Sequence, residues 1–118
     1  MFLERLGNIS ARIDGAIALS LVDHDGIAVE SVSASPELDL DAVAAEMVAQ
    51  VRAISTQQQE LAVGDVQQFT VVAERMSFVV SRVPGGYFLL LALTPSGSLG
   101  RARFELRRAS LILEEELA

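Results

Sequence analysis

The chain has 118 residues and a mass of 12.6 kDa, the size of one folding unit, so a single domain spanning residues 1–118 is expected. A hydrophobic share of 51% supplies a core and excludes disorder, and the absence of Cys excludes disulfides, thiolate metal sites and a thiol nucleophile. Sixteen acidic residues against nine basic ones, all nine of them Arg, leave a net charge of -7, which disfavours nucleic-acid backbones and anionic membranes as partners.

The chain opens with Leu3, Leu6, Ile9 and Ile13 at spacings of three and four, which predicts an amphipathic helix ending at Asp14-Gly15. Glu4, Arg5 and Arg12 interrupt this segment, so it has no signal-peptide core. The longest near-apolar run, 87–93, is too short to cross a bilayer, and a soluble cytoplasmic protein is expected. Residues 16–22 are apolar except for Ser20, stop at Asp23-His24-Asp25-Gly26 and resume over 27–32. An Asp-Gly between apolar runs predicts a hairpin, because Gly supplies the positive φ of a tight turn. His24 is the single His, and two flanking carboxylates make metal or acid–base chemistry conceivable. No second His or Cys completes a transition-metal shell, and Asp is an ordinary turn residue, so the plain turn is the preferred reading. Asp23-x-Asp25-Gly26 also lacks the further acids of a calcium loop.

Ser35-Pro36-Glu37 reads as N-cap, first helical position and early acid of a second helix, with Asp39 as the alternative cap. Leu40, Val43, Ala44, Met47, Val48, Val51 and Ile54 form its apolar stripe, which fades through Ser55-Thr56-Gln57 and ends near Leu61. Ala42, Ala45, Ala49 and Ala53 lie mostly off that stripe, a small-residue surface onto which another helix can pack closely. Ala being the best helix former is the plain alternative.

Three strand-like runs follow, 66–73, 77–83 and 87–93, and their short connections predict an antiparallel meander. After Thr94-Pro95-Ser96-Gly97 a final helix over 98–117 places Leu99, Ala102, Leu106, Ala109, Leu113 and Leu117 on one face. It carries Arg101, Arg103, Arg107 and Arg108 early and Glu114-Glu115-Glu116 late, against the macrodipole. Residues 1–65 hold eleven acids and three Arg, whereas residues 66–118 hold five acids and six Arg. That asymmetry suits docking of the Arg-bearing helix onto an acidic surface; local pairs such as Arg101 with Glu105 are the alternative. Gly97-Ser98-Leu99-Gly100 lacks the Lys of a phosphate loop, no nucleophile elbow is present, and nothing supports catalysis or a cofactor.

Strands buried on both faces read as continuous apolar runs, so 16–22 and 87–93 should be central neighbours. The hairpin on one side and the meander on the other give an antiparallel order 2-1-5-4-3, with helices on both faces. The third strand then lies at an edge without Pro or Lys to blunt it, which invites pairing unless loop or helix covers it.

This α-β-β-α-β-β-β-α order resembles the roadblock/dynein light chain family over nearly the whole chain. The hairpin segment 16–31, with Asp25-Gly26 at its turn, is the most specific part. The resemblance implies a three-layer α/β/α domain of the roadblock/profilin type, one long helix on one face and the terminal pair on the other. It also implies a homodimer or heterodimer built by third-strand pairing and side-by-side second helices. The interface candidates are therefore Val66, Gln68, Phe69, Thr70 and Val72 with Ala42, Ala45 and Ala49. By the same resemblance the expected function is a non-catalytic regulator or adaptor of a small Ras-like GTPase, activating or scaffolding. The resemblance assigns no partner-binding residue; among the chain's own Arg, Arg52 and Arg101 are the candidates. The alternative is a ligand-sensing module of the PAS type, which shares the 2-1-5-4-3 order. An aromatic content of 5%, no Trp and one turn His offer little with which to hold haem, flavin or a signalling ligand.

Overall fold

The central pair of strands organises the molecule, and the computed structural model describes residues 2–117 around it. In chain order the elements are α1 (Phe2–Ala11), β1 (Ala16–Asp23), β2 (Ala28–Ser33), α2 (Leu40–Gln58), β3 (Gln68–Val72), β4 (Ser77–Val83), β5 (Tyr87–Leu93) and α3 (Leu99–Leu117). A short 3-10 turn (Gln59–Leu61) continues α2. The five strands form one antiparallel sheet in the order β2-β1-β5-β4-β3, as the distribution of apolar runs predicts.

β1, apart from Ser20 and its terminal Asp23, and β5 are apolar because both their faces are covered. Leu89, Leu91 and Leu93 of β5 join Leu19 and Leu21 of β1 in a core beneath α1 and α3. Leu90, between them, faces the other way and packs with Val22, Val80 and the α2 residues Ala44, Val48 and Val51. This is the two-residue period of a strand, read on two faces at once. From α3, Ala102, Leu106, Ala109 and Leu113 enter the first core, all at or near zero exposure.

Three local features differ from the expectation. Asp39, not Ser35, caps α2: its Oδ1 accepts the Ala42 N–H at 3.1 Å. Residues 35–38 instead form a turn in which the Leu38 N–H donates to the Ser35 carbonyl at 3.2 Å. A carboxylate at the positive end of the helix gains both the hydrogen bond and the dipole, which a hydroxyl four residues earlier cannot match. β3 begins at Gln68, two residues later than expected, and just before it Asp65 forms an ion pair of 2.6 Å with Arg82 of β4. The hairpin loop is wider than a two-residue turn. Asp23 Oδ1 accepts the N–H groups of Asp25 at 2.9 Å and Ile27 at 3.0 Å, with Gly26 at φ 85°. A Cβ on Gly26 would stand 3.2 Å from the Ala45 Cα, so the loop rests directly on α2.

β2 and β3 are the two edges of the sheet. The turn that precedes α2 runs beside β2, where Glu37, Asp39 and Asp41 line a cleft with Ser31.

Candidate interaction surfaces

The hydrogen-bond phase of β3 decides which of its groups are free. The Arg82 N–H donates to the Gln67 carbonyl at 2.8 Å and the Ala73 N–H to the Met76 carbonyl at 3.1 Å. With the register Gln68↔Ser81 through Val72↔Ser77, the odd-numbered residues make the hydrogen-bonded pairs with β4. The peptide groups of Gln68, Thr70 and Val72 therefore point outward, and no strand lies beyond them among the described residues. Their side chains share the face towards α3, where Gln68 Nε2 donates to the Arg103 carbonyl at 2.9 Å and Arg103 Nε to Thr70 Oγ1 at 3.4 Å. Only Val72 extends an apolar side chain into solvent there, at 67% exposure. Phe69 and Val66 turn to the opposite face and pack on the α2 core. Of the sequence-derived edge candidates, then, Gln68 and Thr70 offer backbone, Val72 offers both, and Phe69 and Val66 support the strand from beneath.

On α2 the buried line is Ala44, Val48 and Val51, and Ala42, Ala45, Ala49 and Ala53 are exposed. The small-residue surface is present, although Gly26 occupies space against Ala45 within the same chain.

The two partner-binding candidates stand on opposite faces of the sheet and cannot act as one cluster. Arg52, on α2, reaches Asp25 at 3.6 Å, and His24 Nε2 lies 3.5 Å from the same carboxylate. With both partners more than half exposed, such a pair contributes at most about 1 kcal/mol. It borders an open cleft of about 410 Å³ shared with Arg82, Tyr87 and Phe88. Arg101, on α3, is engaged at 3.0 Å by Glu105, a residue only 3% exposed, which Arg108 also approaches at 3.8 Å. The local-pair alternative for this helix is thus the one observed for Arg101. The burial of Glu105 escaped sequence reasoning, although its place three residues after Ala102 and four before Ala109 puts it beside the core stripe. Among the described residues no grouping of three or more His, Cys, Asp or Glu could hold a metal ion, and no helix is long and apolar enough to cross a membrane.

No protein-family model and no curated protein matches the chain. Solved structures do. A Roadblock/LC7 domain from Streptomyces avermitilis is similar with a TM-score of 0.87 at 16% identity, over 98% of this chain and 96% of that one. A structure described as MglB with a tetrameric arrangement also has a TM-score of 0.87, at 23% identity, over 98% of this chain and 88% of that one. MglC from Myxococcus xanthus is 31% identical over 98% of each chain, with a TM-score of 0.71.

Proposed function

The chain belongs to the roadblock/LC7 family, and we propose from that premise that it is a non-catalytic, dimeric regulator or adaptor of a small Ras-like GTPase. The observation that carries the reading is the open outer edge of β3, together with the exposed Ala positions of α2. Two copies related by a two-fold axis at Thr70 would pair Thr70 with Thr70 and Gln68 with Val72. Three outward residues then make hydrogen-bonded pairs, about six backbone bonds in all, and the sheet becomes continuous across the dimer. The α2 helices come side by side on one face, and a GTPase resting on them would meet Arg52 from each copy. A gliding protein, MglB of Thermus thermophilus, has the same fold at a TM-score of 0.86, which fits a role alongside a bacterial motility GTPase. The ligand-sensor alternative needs an apolar cavity on a sheet face, whereas both faces here are filled by helices.

The test is affinity and stimulated turnover with a Ras-like GTPase from the same cell, loaded with GTP. Arg52→Ala is expected to weaken binding while leaving stimulated hydrolysis measurable, because the chain orders the GTPase's own switch loops. Intact binding with complete loss of stimulation would instead make Arg52 an arginine finger and overturn the non-catalytic role.

A further inference from the structure

On the face opposite α2, α1 and α3 enclose a groove of about 160 Å³, room for one large side chain. Its floor is part apolar, where Ile9 is half-buried with Ala109 and Leu113 behind it, and part polar, where Glu105 lies. One rim carries Arg5 and Asn8 of α1, three residues apart on one side of the helix, and Arg12 in the turn that follows it. The other carries Arg108 and Ile112, the latter 42% exposed. Glu105, at the bottom, is already held by Arg101 and Arg108. Arg12 makes no side-chain hydrogen bond or ion pair with any described residue. Three of the nine Arg, Arg5, Arg12 and Arg108, thus line one groove, in a chain whose net charge is -7.

We propose that this groove docks an acidic amphipathic helix of a partner protein. An apolar side chain of that helix enters between Ile9 and Ile112, and carboxylates on its flanks meet Arg12 on one rim and Arg108 on the other. Charge complementarity selects the sign of the partner, and the recessed floor selects its shape. A lipid surface fits less well: it is flat, so it would touch only the rims, and an acidic chain is repelled by anionic headgroups. α1 lies over β1 and β2, and α3 over β4 and β5. The groove between them is remote from the outer edge of β3 and stays open in the proposed dimer, so the site goes beyond GTPase regulation by admitting a third component.

The test uses the full chain and a fluorescein-labelled 16-residue peptide with Leu at spacings of three and four and Glu on both flanks, followed by anisotropy. Saturable binding is expected, weakened about tenfold or more by Arg12→Glu and by Ile112→Asp, and abolished when Lys replaces Glu in the peptide. Arg75→Glu makes the same charge change on the β3–β4 turn and is expected to leave the affinity within about twofold. Circular dichroism confirms that Arg12→Glu, at an exposed position, remains folded. The proposal fails if the unaltered chain does not bind the acidic peptide or if Arg75→Glu weakens it as much as Arg12→Glu. It fails equally if phosphatidylserine vesicles bind the chain and the peptide does not.

Discussion

Replacing Thr70 by Pro separates the two sides of β3. The Thr70 N–H points away from β4, since the bond from Arg82 to the Gln67 carbonyl places the odd-numbered residues in the β3–β4 ladder. Thr70→Pro therefore deletes no ladder bond, and an edge strand tolerates Pro where the lost N–H faces outward. In a two-fold dimer centred on Thr70 the same change deletes both bonds of the central pair and sets two rings into an inter-strand gap of about 4.8 Å. At about 0.5–1.5 kcal/mol net per bond the loss is about 1–3 kcal/mol, a rise in the dimer Kd of roughly fivefold to a hundredfold before any steric contribution. Val71→Pro is the counterpart: its N–H belongs to the pair with Phe78, so it breaks the ladder within the chain. Sedimentation equilibrium and urea unfolding read the two effects separately. Thr70→Pro should yield a folded monomer with a urea midpoint at high dilution close to that of the unaltered monomer, and Val71→Pro a destabilised chain. An unchanged dimer Kd for Thr70→Pro, or equal destabilisation by both substitutions, would refute the phase assigned to this edge.

Two stability predictions follow from side chains whose roles the structure distinguishes. Asp39→Ala should cost about 1 kcal/mol by urea unfolding, whereas Ser35→Ala should cost no more than a few tenths, because only Asp39 caps α2. Glu105→Met should leave stability unchanged or raise it by up to about 2 kcal/mol, since Arg101 and Arg108 remain solvated when the buried anion is gone. Removing both guanidinia instead, with Arg101→Ala and Arg108→Ala, should cost about 3 kcal/mol by the same measurement.

The layers and strand order were legible in the sequence because burial on both faces leaves an unmistakable mark, the apolar run of β1, broken only by Ser20, and that of β5. The α2 stripe was equally plain, and the exposed Ala positions fell where the spacing put them. What local pattern could not decide were competitions settled by tertiary contact. Ser35-Pro36 and Asp39 are both sound helix starts, and the choice lay with the carboxylate that reaches the Ala42 N–H. Beside the start of β3 lies a contact that no local pattern shows, Arg82 to Asp65, seventeen positions apart in the chain. The phase of β3 was hidden too, since no periodicity tells which peptide groups face β4. The α1–α3 groove was illegible for a similar reason: Arg5 and Arg12 are ordinary surface charges until Arg108 is brought opposite them.

The two edges of the sheet also set how far assembly can go. Pairing at one edge about a two-fold axis uses that edge in both copies and leaves the other edge at each end of the longer sheet. Were β2 equally receptive, each dimer would join the next and growth would have no end. At β2, however, Glu37, Asp39 and Asp41 stand beside Ser31, so a second copy brought there would set three carboxylates against three. In the proposed dimer the acid that makes the first half of the chain so negative would thus act as a terminator, limiting the sheet to a length that one pair of chains completes.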